Sequence, residues 1–276
     1  QLVLNVLRNA GVDVANISLA YCPERVLPGN IMRELIENDR VIGGIDKKST
    51  EIVANFYRSF VTGDILETDD ATAEMCKLTE NSFRDVNIAF ANELSQICDG
   101  KGIDVCELIR LANHHPRVNI LNPGTGVGGH CIAVDPWFIV SGDPVNAKLI
   151  KQARLVNDAK PKWVVKKIIE ETSKLGLQRP RIACLGLAFK ANIDDLRESP
   201  SVEVVETLEA KGFSVACVEP NIKASEKYNL VDLSSALSGC DLIAILVGHS
   251  EFLTENSIRI LRERKALDFC GALNGL

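Results

Sequence analysis

The sequence predicts an α/β protein: a compact Rossmann-like domain at its C-terminal end, a helical middle, and ahead of that an incomplete Rossmann-type domain. Three observations carry this prediction. Residues 181–187, 213–218 and 242–247 are continuous apolar runs with helical segments between them. Such runs suit parallel strands buried on both faces, and their order implies a doubly wound sheet. Residues 70–99 contain neither Gly nor Pro, which marks one long helix. Residues 1–67 alternate short strands and helices without the strand–turn–helix that opens a βαβ unit. The chain also begins Gln1-Leu2-Val3-Leu4, with no Met, as if inside an element. A fragment that lacks the front of its first domain is therefore expected. The boundaries read from this pattern are 1–67, 68–177 and 178–276.

In the first segment, strands are expected at 17–21 and at 41–45, the second closing on Gly43-Gly44, with a helix over 51–60. Thr68-Asp69-Asp70 offers N-caps for the long helix. Along that helix Phe83, Val86, Phe90, Leu94 and Ile97 recur at three- and four-residue steps, the spacing of a buried stripe. A second helix is expected over 104–113, then a loop rich in Pro and Gly from 115 to 130. A further helix is expected over 159–175, with Pro161 in its first turn. Ser199-Pro200 reads as an N-cap followed by proline at the first helical position.

Composition narrows the function. Hydrophobic residues make up 46% and charged residues 25%, as in ordinary globular proteins. No apolar run approaches the roughly 20 residues of a membrane-spanning helix, and no signal peptide opens the chain. The net charge of −6 and pI near 5.4 leave no basic stripe for nucleic acid. Nine cysteines without a CxxC pair support neither a zinc ribbon nor a disulfide framework. No metal site is expected, and free thiols at this density fit the reducing cytoplasm.

Gly124, Gly126 and Gly129 satisfy G-x-G-x-x-G literally. That motif cradles a dinucleotide only between a strand and a helix, with an acidic residue about 20 positions on. Here it follows His-Pro-Arg and Asn-Pro, so these glycines are read instead as letting backbone approach a ligand or another chain closely. Cys131 comes next, ahead of an apolar stretch, 132–140, that reads as a helix. A thiol near a helix N-terminus is favoured as thiolate, and the open amides there suit an oxyanion. A nucleophile and a small thiol packed beside a tight turn are equally compatible with that spacing. Asp135 follows one turn later; a carboxylate there can accept a hydrogen bond or move a proton, or simply shape the turn before Pro136. Lys77, Asn81 and Arg84, at i, i+4 and i+7, form a polar ridge. If covered, such a lysine has a lowered pKa and serves as acid or base; otherwise the ridge is a solvated face. Cys22-Pro23-Glu24-Arg25 is a rigid, charged turn in which Glu24 can order a water.

Five motifs in order carry a resemblance. They are Cys-Pro-Glu-Arg-Val-Leu-Pro-Gly (22–29), Lys77-x-x-x-Asn81, His-Pro-Arg (115–117), Gly-Val-Gly-Gly-His-Cys-Ile-Ala-Val-Asp-Pro (126–136) and Gly-Leu-Ala-Phe-Lys-x-Asn-Ile-Asp-Asp-Leu-Arg-Glu-Ser-Pro (186–200). Together they resemble the UDP-glucose/GDP-mannose dehydrogenase family over nearly the whole chain. The resemblance implies an N-terminal NAD domain, here without its first βαβ half, a central helical dimerisation region, and a C-terminal UDP-binding domain. It further implies NAD as cofactor, a UDP-sugar as substrate, and a homodimer through the central helices. The implied reaction is two-step oxidation of a sugar C6 hydroxyl. In it Cys131 forms the covalent intermediate, Lys77 handles the hydroxyl proton, Asn81 and Asp135 orient water and Lys77, and Glu24 serves as base. Arg25, Val26, Arg84, His115, Arg117, Gly128, Phe189 and Lys190 would bind the sugar nucleotide, Arg117 across the dimer, and Arg197 would pair with cofactor phosphate. Val134 stands where glucose-type members carry Lys, and His130 where they carry Ser, so the sugar pocket is expected to differ.

Overall fold

The computed structural model describes residues 2–26 and 30–273. Leu27, Pro28 and Gly29 of the first motif lie outside the described residues. The chain divides into two compact units, residues 1–80 and 81–276.

The first unit holds helices α1 (Leu2–Asn9), α2 (Ile31–Glu37) and α3 (Lys47–Arg58). Its three strands are β1 (Ala20–Tyr21), β2 (Arg40–Gly44) and β3 (Ile65–Asp69), in sheet order β1-β2-β3. β1 runs antiparallel to β2, and β2 parallel to β3. β2 is buried along its whole length. At its end a Cβ on Gly43 would lie 2.1 Å from the Asp69 carbonyl oxygen, so only glycine lets β3 come so close. Asp46 caps α3 by accepting the Ser49 N–H at 2.7 Å. β3, for which the sequence reading named no strand and offered only Thr68 and Asp69 as N-caps, is short and mostly exposed, and therefore lacks a clear apolar signature.

Helix α4 (Asp70–Asp99) has the expected thirty residues. Its expected buried stripe is corrected by the structure: Phe83 is 71% exposed, Phe90 52% and Ile97 47%, with Val86 and Leu94 half-buried. The buried face carries Ser82, Asp85, Ala89 and Asn92 instead. The period was correct but the polarity was inverted, because polar groups on the inward face find partners on helix α7 (Lys148–Lys174). Asp85 pairs with Arg154 at 2.6 Å, and Asn92 donates to Asn157 at 2.9 Å. Lys160 donates to Ser95 and lies 4.0 Å from the centre of the Trp163 ring. α7 begins eleven residues earlier than expected and holds Pro161 in its interior, not its first turn. Pro161 packs against Gly126 there, its Cγ 3.3 Å from where a Cβ would stand.

Between them lie α5 (Val105–Ala112), capped by Asp104, and α6 (Asp135–Gly142). The C-terminal sheet follows: β4 (Arg181–Leu185), α8 (Pro200–Ala210), β5 (Ser214–Val218), α9 (Leu233–Gly239), β6 (Leu242–Ile245), α10 (Glu255–Glu263) and β7 (Leu267–Asp268). All four strands are parallel, in order β5-β4-β6-β7. Alternate residues feed two cores. Ile182, Cys184, Val215 and Cys217 face Val164, Ile168, Val204 and Leu208 of α7 and α8. Ala183, Leu185, Ala216 and Ile243 face Ala236 of α9 and Ile258 and Leu261 of α10. Burial on both faces explains why these strands read as unbroken apolar runs. Burial also pushes the Cys184 thiol well above its usual range and Cys217 up to about 12, so both act as small core side chains.

Candidate functional site

Cys131 is exposed and is the most open of the nine cysteines, all of which are unbridged. The expected helix over 132–140 begins only at Asp135. Pro136 accounts for the shift: it has no N–H to give residue 132, a loss that costs nothing in the first turn, where that N–H would have no partner. Two amides at this end of the loop are committed. Val134 N–H and Asp135 N–H donate to the Cys131 carbonyl at 3.0 and 2.8 Å. The backbone bond across four residues still places Asp135 one turn beyond Cys131, as expected.

Asp135 Oδ2 accepts a hydrogen bond from Asn81 Nδ2 at 2.5 Å. Residues 54 positions apart, taken from two motifs, thus meet beside the thiol loop. Lys77, half-buried, stands one turn before Asn81 on α4, and Arg84 is exposed one turn beyond it. On α7, burial takes the Lys160 amine down to about 7.

A second convergence joins the glycine loop to the 186–200 motif. A Cβ on Gly128 would lie 2.4 Å from the Glu198 carbonyl oxygen and 2.9 Å from Phe189 Cβ, and one on Gly129, at φ +79°, would press on the Phe189 ring. The close approach that these glycines were expected to permit is therefore to Phe189 and Pro200 of the same chain. Asn92 and Thr125 fix the loop upstream: Gly124 N–H donates to Asn92 Oδ1 at 2.8 Å, and Thr125 Oγ1 donates to the Leu246 carbonyl at 2.7 Å.

Arg197 is exposed and grips Asp195 through Nε and Nη2, at 2.9 and 2.6 Å. Those bonds, with a smaller contribution from His130, hold the Asp195 carboxyl down to about 2. Phe189 N–H donates to the Asp195 carbonyl, and Lys190 is exposed. Beyond the C-terminal ends of β4 and β5, a cavity of about 550 Å³ is lined by Asp194, Leu196, Arg197, Asn221, Ile222 and Lys223. Parallel α/β sheets bind ligands at this edge.

In the first unit Glu24 accepts the N–H groups of Arg25 and Val26 at 2.6 and 3.0 Å and meets Arg40 at 3.3 Å. Burial pushes its carboxyl up, but these partners outweigh burial and leave it lowered. Arg25 pairs with Glu80 at 2.9 Å. His115 and Arg117 are exposed in a turn where Arg117 N–H donates to His115 Nδ1 at 3.3 Å. Among the described residues no hydrogen bond joins them to Asn81, Asp135 or Cys131.

Sequence reasoning missed one buried group, Glu219 and His249, at the same sheet edge as the cavity. Glu219 Oε2 accepts Leu187 N–H at 2.7 Å, Ala188 N–H at 3.0 Å and His249 Nε2 at 3.0 Å. Burial raises the Glu219 carboxyl, yet the imidazole and the amides outweigh it and bring it down to about 2. The available signal was an acidic residue directly after a buried strand, the place where a Rossmann domain holds its ribose carboxylate.

Exposure makes Cys131 the expected first target of alkylation. With limiting iodoacetamide and peptide mass spectrometry, Cys131 should label at least about tenfold faster than Cys184 or Cys217, which need local opening first. Equal labelling would show that the thiol loop is closed.

The parallel sheet, with Arg197 and Lys223 at its C-terminal edge, and the thiol loop beside the Asn81–Asp135 pair place the second unit in the α/β class whose sheets bind ligands at that edge. Three segments match models of a single family: residues 2–61 its NAD binding domain, 71–159 its central domain and 183–274 its UDP binding domain. The chain belongs to the UDP-glucose/GDP-mannose dehydrogenase family. It is 55% identical over 257 residues to a UDP-N-acetyl-D-mannosamine dehydrogenase of Campylobacter jejuni, covering 90% of this chain and 63% of that protein. It is 53% identical over 264 residues to an NDP-N-acetyl-D-galactosaminuronic acid dehydrogenase of Ralstonia nicotianae, covering 94% and 62%. A solved UDP-D-ManNAc dehydrogenase from Pyrococcus horikoshii superposes with a TM-score of 0.88 at 36% identity, covering 99% of this chain and 66% of that one. The chain thus spans less than two thirds of the length of these relatives. Among the described residues no helix is long and apolar enough to cross a membrane.

Proposed function

We propose that the protein carrying this chain oxidises the C6 hydroxyl of UDP-N-acetyl-D-mannosamine to the uronate through a covalent intermediate on Cys131. The observation that carries this reading is the 2.5 Å bond between Asn81 and Asp135, with Asp135 N–H on the Cys131 carbonyl. NAD supplies a hydride acceptor for each of two oxidations. In the first, the hydroxyl proton leaves by way of Lys77 and hydride leaves C6, giving an aldehyde. The Cys131 sulfur then bonds to C6 and the oxygen takes a proton, forming a thiohemiacetal. Loss of a second hydride and that proton gives a thioester. Water, oriented by Asn81 and Asp135 with Glu24 as base, adds to C6, and the C6–sulfur bond breaks to release carboxylate and thiol. A thiol suits both halves, as a strong nucleophile and a good leaving group.

The residues present suit the cofactor in part. Arg197 offers a guanidinium beside the cavity it shares with Lys223, fit for a phosphate. Among the described residues no strand runs through a G-x-G-x-x-G turn into a helix. Arg25, Val26, Arg84, His115, Arg117, Gly128, Phe189 and Lys190 would hold the sugar nucleotide. The three-part division at 67 and 177 is retained, and so is a homodimer through the central helices. The apolar faces of Phe83, Phe90 and Ile97 are open for one, and Arg117 would cross it. Nine unbridged thiols suit a cytoplasmic setting.

A second reading, another N-acetylhexosamine nucleotide such as UDP-N-acetylglucosamine, is favoured by the comparable identity of the galactosaminuronate relative. A non-catalytic sugar-nucleotide-binding fragment is favoured because the described residues hold no G-x-G-x-x-G turn between a strand and a helix. Calorimetry and NADH absorbance separate these readings. The 276-residue chain is expected to bind UDP-N-acetyl-D-mannosamine more tightly than its C2 epimer while forming no NADH. Preference for the epimer would overturn the substrate, and steady NADH formation would overturn the view that this chain lacks its own cofactor cradle.

A further inference from the structure

We infer that His249 and Glu219 act as a buried positioning couple for the nucleotide-binding edge of the C-terminal sheet. The inference rests on the reading of Phe189 and Lys190 as nucleotide contacts. Both side chains are fully buried, where the loops after β4, β5 and β6 meet. His249 Nδ1 receives Asn192 N–H at 2.9 Å and lies 3.0 Å from Asn221 Nδ2, so the ring proton belongs on Nε2, which faces Glu219 at 3.0 Å. The ring meets Phe252 edge-to-face at 5.5 Å, which fixes its plane. Glu219 Oε1 accepts Asn221 N–H at 3.1 Å, while Oε2 takes the amides of Leu187 and Ala188.

Two consequences follow from where these bonds fall. In a dinucleotide fold the amides after the first strand face a pyrophosphate, and the acid after the second strand faces a ribose. Here that acid turns inward and its carboxylate occupies the amides, so neither is available to a ligand. Anion binding is thereby displaced outward, the sugar nucleotide's onto Lys190 and the cofactor phosphate's onto the Arg197–Lys223 cavity. The same two side chains clamp both borders of that edge: residues 187, 188 and 192 on one side, and Asn221, which lines the cavity, on the other. Asn192 holds a left-handed φ of +62°, a conformation that needs such support in a residue other than glycine.

The test separates the two halves of the imidazole. His249→Asn keeps an acceptor for Asn192 and loses the donor to Glu219; His249→Gln keeps the donor and loses the acceptor. Binding of UDP to the 276-residue chain is followed by calorimetry at a temperature where circular dichroism of each variant matches the parent. Each variant is expected to bind UDP about tenfold more weakly, the effect of one misplaced contact. Amide exchange should speed up at Leu187 and Ala188 in the Asn variant and at Asn192 in the Gln variant. UDP affinity within twofold of the parent, with only the melting temperature lowered, would overturn the couple and leave a fold-stabilising pair. Lys190→Ala tests the underlying reading by itself. If it binds UDP like the parent, the loop does not hold the nucleotide and the inference falls with it. If it weakens binding while both His249 variants bind normally, the couple alone is wrong.

Discussion

Arg154→Ala is expected to destabilise the second unit by about 3–5 kcal/mol, measured by urea denaturation at neutral pH. Arg154 is 2% exposed and Asp85 0%. Arg154 Nη1 holds Asp85 Oδ1 at 2.6 Å, Nη2 bonds Asp158, and Asn157 reinforces Asp85 at 2.8 Å. Burial leaves the Asp85 carboxyl raised even with this cation beside it, so the pair specifies the α4–α7 contact at some cost in stability. Removing the cation exposes the full desolvation penalty. The sign with pH follows from the raised carboxyl. A folded pKa above the unfolded value of about 3.9 penalises folding as pH rises from that value towards the folded one. The variant should therefore lose much more stability at pH 8 than at pH 5. The double variant Asp85→Leu, Arg154→Met should recover most of the loss, since no buried charge is then left unpaired. A loss below about 1 kcal/mol that does not vary with pH would show that Asp85 and Arg154 are hydrated and not buried.

The same contact explains what the sequence could and could not reveal. Strands buried on both faces announce themselves as apolar runs, so three of the C-terminal sheet's four strands and the Ser199-Pro200 cap were legible, while β7, two residues long and only half-buried, was not. α4 was legible in length but not in facing. Asp85, Asn92 and Ser95 turn inward because Arg154, Asn157 and Lys160 answer them from α7, and nothing local in either segment announces that pairing. The start of α6 was legible in principle, because proline is favoured in a helix's first turn, but the apolar run from Ile132 masked it. Asn81 and Asp135 were drawn together by motif and are joined by a hydrogen bond. His249 carried no signal: its role depends on a carboxylate thirty positions away and on backbone amides, and sequence spacing does not encode either.

Gly128→Ala is expected to be the most disruptive single methyl group in the second unit's thiol loop. A Cβ there would stand 2.4 Å from the Glu198 carbonyl oxygen, 2.6 Å from Pro200 Cδ and 2.9 Å from Phe189 Cβ. None of these is the tip of a flexible side chain. Glu198 is held at a left-handed φ of +52°, and Pro200 starts α8 behind the Ser199 cap, whose hydroxyl donates to the Leu187 carbonyl at 2.6 Å. Relief must therefore come from moving the loop at 126–131 or the one at 187–199, at about 1–3 kcal/mol. Either movement separates Cys131 from the segment bearing Phe189, so UDP affinity and the selectivity of Cys131 for alkylation should fall together. Gly142→Ala is the matched control. A Cβ on Gly142 meets nothing within 4 Å, and alanine is the better helix former by roughly 0.5–1 kcal/mol, so that variant should melt at or above the parent temperature. If Gly128→Ala behaves like Gly142→Ala in melting, UDP binding and labelling, the two loops are not packed as described, and the approach of the thiol motif to the Phe189 segment is lost with them.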